Sequence, residues 1–285
     1  MAYAATALAA KFGAGVTMGM RIRPASPSKP SPKLLRGFFV LCLVFLYAPV
    51  MLLPLFAFND SSIVGFPLRG FTLDWFRSLP QETMLHRAAL NSLIIATATA
   101  SISTCFAVLV ARAITRYRFH GKGIAFGLIM APVLLPEIII GVALLIVLLG
   151  LGIPLNLWSV IGGHVLITMP FTVAIMLAAF HNMDQRLEEA SLDLGESRFG
   201  TFRRVILPLA MPGLAASLLL SFSLSLDEFI IAFFLTGVDP TLPVYIWAQL
   251  RFPSKLPIVM ALGTLMVLVS LVLLSLFEYS RRRWY

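Results

Sequence analysis

The sequence is poor in cysteine and in charged residues, and poorest of all in acidic ones. Of its 285 residues 2 are Cys and 12% are charged, with 13 Asp and Glu against 22 Lys and Arg. Because Cys42 and Cys105 both lie within apolar runs, neither a disulfide framework nor a thiolate metal site is expected. We therefore expect no metal and no cofactor. The scarcity of charge also excludes a soluble domain, since a chain with 59% hydrophobic residues carries more apolar surface than such a domain buries.

Long apolar stretches account for this composition. A run of about 20 mainly apolar residues crosses the hydrocarbon core of a bilayer as a helix. Runs of this length also exclude a β-barrel, whose strands are short and alternate polar with apolar residues. We predict an all-α membrane protein with six transmembrane helices. The apolar stretches lie near residues 34–58, 88–111, 123–150, 158–181, 209–236 and 257–278.

The basic residues are distributed along the chain and form no single patch, so we expect no nucleic-acid partner. If the N-terminus lies in the cytoplasm, 17 of the 22 Lys and Arg fall in cytoplasmic segments. Cytoplasmic loops of membrane proteins carry an excess of Lys and Arg. The sequence therefore predicts a multi-pass protein with both termini in the cytoplasm.

Composition divides the chain into three regions. Residues 1–33 contain no acidic residue and end in a Pro- and Ser-rich run, which predicts a disordered cytoplasmic leader. Residues 34–87 hold the first transmembrane helix and an external loop, whose aromatic and Pro residues predict a structured cap at the membrane interface. Residues 88–280 form the transmembrane core, which is interrupted by a charged cytoplasmic loop at 184–208.

The 184–208 loop carries charge that is rare elsewhere in the chain, and loops on a rigid scaffold often carry function. Gly195 suits the end of a short helix and Pro208 the first turn of the next span, so we predict a short helix, a turn and a second helix. From residue 189 the loop reads Glu-Ala-Ser, three residues, Gly, nine residues, Val, one residue, Leu-Pro. It resembles the signature loop of binding-protein-dependent ABC importer permeases, in which Ala and Ile stand at the positions of Ser191 and Val205.

The resemblance extends over residues 34–278, to the second permease subunit of spermidine/putrescine importers. Two later segments, 238–243 and 251–257, depart from the pattern of the polyamine members, which bears on the substrate and not on the transporter class. The matching segments are Asn91-Ser-Leu, Pro136-Glu-Ile-Ile-Ile-Gly141, Leu224-Ser-Leu-Asp-Glu228, Thr236-Gly237 and Leu242-Pro243.

This resemblance implies a type I importer permease of the MetI-like fold in the bacterial cytoplasmic (inner) membrane, transporting polyamines or a related small cationic solute. Its partners would be two copies of a cytoplasmic ATP-binding subunit, a second permease subunit and an external solute-binding protein. The loop would dock on the ATP-binding subunit and transmit its closure to the spans. The residues so assigned to ATPase coupling are Glu189, Ala190, Ser191, Gly195, Leu207 and Pro208.

The sequence lacks the Gly-x4-Gly-Lys-Ser/Thr pattern that cradles nucleotide phosphates, so ATP chemistry must come from a partner chain. We interpret the chain as a transport subunit and not as an enzyme. One alternative is a proton-coupled secondary transporter or channel, because intramembrane carboxylates also serve proton coupling. Another is an intramembrane hydrolase, which needs a nucleophile and a base facing each other. His164 is the only His deep within a predicted span.

Carboxylates at Glu137, Asp227 and Glu228 fall within predicted spans. An ionised carboxylate at mid-membrane costs about 2.5–3.5 kcal/mol, so such residues usually face a cavity or a partner. Glu228 continues the spacing of 4, 4 and 3 residues that begins at Ser217 and places Ser221, Ser225 and Glu228 on one helical face, with Asp227 about 100° away. We predict that these carboxylates line the path of a cationic substrate. The alternative is that they are protonated or hydrogen-bonded packing groups, and that the serines permit close helix approach.

A second polar stripe lies in the fourth predicted span. His164, Thr168 and Thr172 are spaced by four residues and therefore share a helical face. We favour a hydrogen-bonded contact between helices, with a pore-lining role as the alternative. A lone His without nearby His or Cys does not indicate a metal site.

Overall fold

The computed structural model describes residues 32–283, so the predicted leader lies outside the described residues except for its last two positions. The described residues are mostly helical and include no strand beyond an isolated bridge between Asn59 and Phe71. The α-helices are, in chain order, α1 (Pro32–Ala57), α2 (Asp74–Ser78), α3 (Thr83–Arg116), α4 (Lys122–Leu134), α5 (Glu137–Gly150), α6 (Leu157–His181), α7 (Gln185–Asp193), α8 (Arg198–Thr201), α9 (Leu207–Asp227), α10 (Ile230–Leu235), α11 (Leu242–Gln249) and α12 (Leu256–Arg283).

Within the described residues, 5 helical segments are long and apolar enough to cross a membrane. Helices α4 and α5 together form a sixth span if the pair is counted as one, although they are bent by 109°. The predicted all-helical fold with six spans is therefore confirmed with one broken span. The predicted third span, 123–150, corresponds to this bent pair. The uninterrupted segments are Lys33–Ala57, Thr83–Arg116, Leu157–His181, Arg198–Asp227 and Pro253–Val272.

The break between α4 and α5 follows from two prolines. Pro136 has no N–H to donate to a helical carbonyl, and its ring disfavours helical geometry at the preceding residue. Leu135 accordingly adopts an extended conformation, with φ −101° and ψ 140°. Pro132 already lies in the last turn of α4. The helix restarts with Glu137 in its first turn.

The fifth predicted span, 209–236, is also interrupted. Helix α9 ends at Asp227, and Glu228 is extended, with φ −71° and ψ 122°. The short helix α10 then begins at Ile230. The Glu228 side chain accepts a hydrogen bond from the Ile231 N–H at 2.7 Å, which satisfies one of the amides left free at the restart. The prediction that Glu228 continues the helical face of Ser217, Ser221 and Ser225 is therefore wrong at its last position, because the helix ends at Asp227 and Glu228 lies in the break.

The chain divides into two compact units, residues 1–49 and residues 50–285, and the site lies in the described part of the second. The centre of this second unit is formed by α3, α6 and α9. Small residues dominate the buried face of α3, and they allow helices to approach closely where lipid provides no hydrophobic driving force. The small buried residues of α3 are Ala88, Ser92, Ala96, Thr99, Ala100, Ser103, Thr104, Ala107 and Ala111.

Helix α10 packs against α5 and α6 through glycines. A Cβ atom added at Gly141 would lie 2.7 Å from the Phe234 ring, and one added at Gly163 would lie 2.5 Å from the Ile231 side chain. Both distances are below ordinary van der Waals contact, so glycine is required for the helices to meet as they do. Through the Gly141 contact, α10, which follows the break at Glu228, is held against α5, which follows the break before Glu137.

The segment after α10 is fixed against the start of α3. Asn91 donates a hydrogen bond from its side-chain amide to the Pro240 carbonyl at 3.1 Å. The Ser92 hydroxyl accepts one from the Leu242 N–H at 2.8 Å. This pairing explains why polar side chains occur near the start of an apolar helix.

Candidate functional site

The two helix breaks open on one cavity of about 290 Å³. Glu137 contributes from the start of α5, Asp227 from the end of α9, and Glu228 from the break itself. The structure therefore brings together all three carboxylates that the sequence assigned to the substrate path. The remaining residues around the cavity are Ile167, Thr168, Phe171, Ser223 and Leu224.

The three carboxylates differ in their surroundings. Glu228 is 7% exposed, and one of its oxygens already accepts the Ile231 amide. Glu137 and Asp227 are exposed in the isolated chain. The ion pairs in the described part of the chain involve none of the three, so no cation of this chain neutralises the cavity there. The arrangement favours binding of a positively charged group.

Helix geometry places these carboxylates favourably. Glu137 lies in the first turn of α5, where the partial positive charge of free backbone N–H groups stabilises an anion. Broken membrane helices whose ends converge on a cavity are typical of transporter binding sites. The irregular backbone at both breaks borders the cavity, which is where a membrane protein tolerates it.

The serine face of α9 does not line this cavity as a whole. Ser217, Ser221 and Ser225 are buried, and Ser225 forms a 2.7 Å hydrogen bond with His164 of α6. The favoured interpretation of the stripe in α6 as a helix contact is thus confirmed, because Thr168 in addition forms a 2.8 Å hydrogen bond with Ser103 of α3, although Thr168 also borders the cavity. The His–Ser pair is enclosed between helices, so it offers no accessible nucleophile for hydrolysis.

The 184–208 loop has the predicted short helix and turn. Helix α7 ends at Asp193, and the turn after it contains Gly195, whose φ of +87° is the left-handed conformation that glycine adopts without strain. The Gly195 N–H donates to the Leu192 carbonyl at 2.9 Å and the Glu196 N–H to the Ser191 carbonyl at 3.2 Å, the two bonds of a Schellman stop. At the other end the Asp184 side chain accepts the Arg186 N–H at 3.0 Å.

The second helix of the loop differs from the prediction, because it continues into the fifth span without a boundary. Helix α8 has 4 residues and passes through a π-helical turn, Phe202–Ile206, into α9. In that turn the Leu207 N–H bonds the Phe202 carbonyl, five residues back. Pro208 cannot donate to the carbonyl four residues before it, which favours irregular bonding here.

The predicted coupling residues are divided between surface and interior. Glu189, Ala190, Gly195 and Pro208 are exposed, whereas Ser191 and Leu207 are half-buried. The Ser191 hydroxyl lies 3.0 Å from that of a Thr in α8 and joins the two short helices. Their role in coupling stays a prediction.

Exposed apolar side chains lie beside the coupling residues. Leu194 is 89% exposed and Phe199 74% exposed, on either side of the turn at Gly195. Both are apolar residues within a loop that is otherwise rich in charge. The signal available in the sequence for Phe199 was an aromatic residue next to the turn of a polar segment.

The structure also reveals a link that the sequence analysis missed. Arg112, near the end of α3, donates a hydrogen bond to the Glu188 carboxylate at 2.5 Å. The Arg116 guanidinium lies 3.3 Å from the same oxygen and also donates to the Gln185 side chain at 3.0 Å. Both arginines had been interpreted only as topological charge. No local spacing predicts a pairing between residues 76 positions apart.

Comparison with known proteins gives the following similarities. The family described as "Binding-protein-dependent transport system inner membrane component" matches residues 103–284. The chain is 37% identical over 243 residues to the spermidine/putrescine transport system permease protein PotC of Escherichia coli (strain K12), covering 85% of this chain and 91% of that protein. It is 32% identical over 235 residues to the putrescine transport system permease protein PotI of the same strain, covering 78% and 82%.

Among solved structures, the fold is similar to a chain of a bacterial ABC transporter involved in the import of the acidic polysaccharide alginate. The TM-score is 0.69 at 20% sequence identity, with 88% of this chain and 94% of that chain covered. At this identity the likeness concerns the fold.

Proposed function

Because the chain belongs to the family of binding-protein-dependent transport system inner membrane components, we propose that it is the permease subunit of an ATP-driven importer for polyamines or a related small cationic solute. The permeases named for spermidine and putrescine match most of its length. The observation that carries the choice of a cation is the cavity between the helix breaks. Its lining has Glu137, Asp227 and Glu228, none of which is paired with a cation in the described residues.

The cavity suits a primary or secondary ammonium group on chemical grounds. Carboxylates form charge-assisted hydrogen bonds with N–H donors, and these bonds are stronger where water is partly excluded. The path is expected to bind weakly, because a solute has to leave it toward the cytoplasm. Glu137 and Asp227 are exposed, and Glu228 beside them already accepts a backbone hydrogen bond. Together these carboxylates provide such a transient site.

The 184–208 loop would couple the chain to its energy source. Two copies of a cytoplasmic ATP-binding subunit would bind this loop and the corresponding loop of a second permease subunit. Leu194 and Phe199 would enter an apolar recess of the ATP-binding subunit, with Glu189 beside them. An external solute-binding protein would deliver the substrate. This orientation places the 184–208 loop and both termini in the cytoplasm, in agreement with the distribution of Lys and Arg.

Transport would proceed by alternating access. Closure of the ATP-binding subunits on nucleotide moves the loop as a rigid body, because the Schellman stop and the Ser191 contact hold its two helices together. The loop continues into α9 and is preceded by α6, so its displacement shifts two walls of the cavity. Rigid-body movement of packed elements is a common mode of such transitions.

The test is uptake of radiolabelled spermidine by cells that express the whole transporter and lack other polyamine uptake. We expect uptake to stop when ATP is depleted and to continue with an uncoupler, whereas a proton-coupled carrier would behave in the opposite way. Neutral variants Glu137→Gln and Asp227→Asn should lower uptake about tenfold or more, as expected for lost charge-assisted contacts. The matched control is Asp74→Asn, which removes a carboxylate from an exposed ion pair. Normal uptake by both cavity variants would refute the cationic path.

A further inference from the structure

The 184–208 loop is attached to the transmembrane core by its two covalent connections, by the apolar packing of Ile206 at its end and by a set of polar side chains on α7. It follows α6 and continues into α9. The polar attachment joins α7 directly to α3, between Glu188 and the two arginines at the end of α3. We call this group, Arg112, Arg116 and Glu188, the arginine clamp.

The arginine clamp is better placed to transmit force than the other ion pair of the loop. The side chains of Glu188 and Arg112 are 16% and 21% exposed, whereas Arg204 in its pair with Glu196 is 74% exposed. Exposed pairs are screened by salt and contribute little, while partly buried pairs with two donors on one carboxylate are held more firmly. Arg116 also bonds the Gln185 side chain, so the clamp contacts α7 at two positions one turn apart.

The attachment point on α3 is rigid. Ala111, the residue before Arg112, is fully buried in an apolar cluster with Met176 and Phe180 of α6 and Ile206 of the π-helical turn. Nearer the middle of α3, the Ser103 hydroxyl forms a 2.8 Å hydrogen bond with Thr168 of α6, and Thr168 borders the cavity. A displacement applied at the end of α3 is therefore carried by packed side chains to the wall of the cavity.

The two adjacent glutamates of α7, Glu188 and Glu189, point in different directions. Glu188 is half-buried against α3, and Glu189 is exposed. Successive residues of a helix point about 100° apart, so one face of α7 can bind the chain's own span while the next is free for a partner. The sequence pattern Glu-Glu-Ala-Ser thus combines a contact within the chain, made by Glu188, with an exposed carboxylate at Glu189.

We propose that Arg112 and Arg116 are positioning residues that transmit the nucleotide-driven displacement of the 184–208 loop to the second span through Glu188. This inference rests on the proposed coupling of the loop to an ATP-binding subunit. Without the clamp the loop would still move with its partner, but α3 would follow it incompletely. ATP hydrolysis would then proceed with less solute moved per cycle.

Distances between spin labels in the whole transporter, in lipid nanodiscs, test this inference. Cys42 and Cys105 are first replaced by Ser. One label at Leu151→Cys is the reference, and a second is placed either at Asp193→Cys on the loop or at Tyr117→Cys just beyond α3; all three sites are exposed. Each pair is measured without nucleotide and with ADP and vanadate, in the otherwise unchanged chain, in Glu188→Ala and in Arg112→Ala/Arg116→Ala.

In the unchanged clamp we expect the nucleotide to shift both distances. In Glu188→Ala and in the double variant the 151–193 distance should still shift, while the 151–117 shift is lost. Spermidine uptake per ATP hydrolysed should fall about tenfold, within the usual range of coupling factors between sites. The conservative variant Arg112→Lys/Arg116→Lys should restore part of both, and Asp74→Asn should change neither.

An equal 151–117 shift with and without the clamp would overturn the inference and leave the proposed function intact. Absence of any shift at 193 in the unchanged clamp would overturn both, because the loop would then not respond to nucleotide. Co-purification of the ATP-binding subunit with each variant distinguishes loss of transmission from loss of assembly. A clamp variant that transports normally once assembled would also refute the inference.

Discussion

Glu228 accepts a hydrogen bond from the Ile231 N–H at 2.7 Å, across the break between α9 and α10. The same residue borders the cavity that Glu137 and Asp227 also line. A carboxylate that caps a restarting helix has a structural reason to be buried, while its position at the cavity gives it access to a solute. Of the two interpretations that the sequence left open for Glu228, the hydrogen-bonded group is therefore observed, and its role in the substrate path stays a prediction that its place at the cavity supports.

Glu228 variants should separate these two roles. Glu228→Gln keeps an oxygen acceptor for the Ile231 amide and removes the charge, so we expect a near-normal melting temperature with reduced spermidine uptake. Glu228→Ala also removes the cap, which should cost about 1 kcal/mol in stability. Thermal unfolding in detergent and uptake in cells measure the two effects. Equal melting temperatures for both variants would contradict the capping role.

Gly163 should be intolerant of a side chain while its neighbour accepts one. A Cβ at Gly163 would lie 2.5 Å from Ile231 and 2.8 Å from Leu235, whereas a Cβ at Gly162 meets nothing within 4 Å. Gly163→Ala should therefore destabilise the protein by about 1–3 kcal/mol through overpacking. Gly162→Ala is the matched control and should leave the melting temperature unchanged. The packing of α10 on α6 would be in question if both variants melted alike.

Replacing Gly195 should disturb coupling more than folding. Its φ of +87° is costly for any residue with a Cβ, by about 1–2 kcal/mol, and the strain falls on the Schellman stop of α7. We expect Gly195→Ala to lower uptake and co-purification of the ATP-binding subunit, since the α7 end that carries Leu194 would reorient. Gly123→Ala, in the first turn of α4 with open space around it, is the control. Retained coupling in Gly195→Ala would argue against a fixed loop geometry.

The exposed apolar pair of the loop should govern docking. Leu194→Ser combined with Phe199→Ser removes two apolar side chains that are exposed in this chain, so we expect markedly less ATP-binding subunit to co-purify. The melting temperature of the permease alone should not fall, because neither side chain is buried. Ile63→Ser, which removes an equally exposed apolar group outside the loop, provides the comparison. Undiminished co-purification would exclude these residues from the interface.

Local patterns were sufficient for much of this fold. The apolar stretches predicted the spans, Gly195 predicted the stop of α7, and the spacing of His164, Thr168 and Thr172 predicted a helix contact. Each of these features is decided by residues close in the sequence or by the apolar interior of the bilayer. Hydropathy failed at the two breaks because apolar content does not distinguish a continuous helix from two half-helices. Pro136 marks the position of one break, but the 109° angle between the two helices there depends on what packs around them.

By itself the sequence determined that the chain spans a membrane, which loop is charged, and which carboxylates require an explanation, because solvent transfer and helical period are local properties. Only the tertiary structure decided that Glu137 and Glu228 share one cavity and that Glu188, rather than Glu189, binds Arg112. Such pairings join positions far apart in the chain. They depend on how closely whole helices approach, which the small residues along their buried faces permit but do not specify.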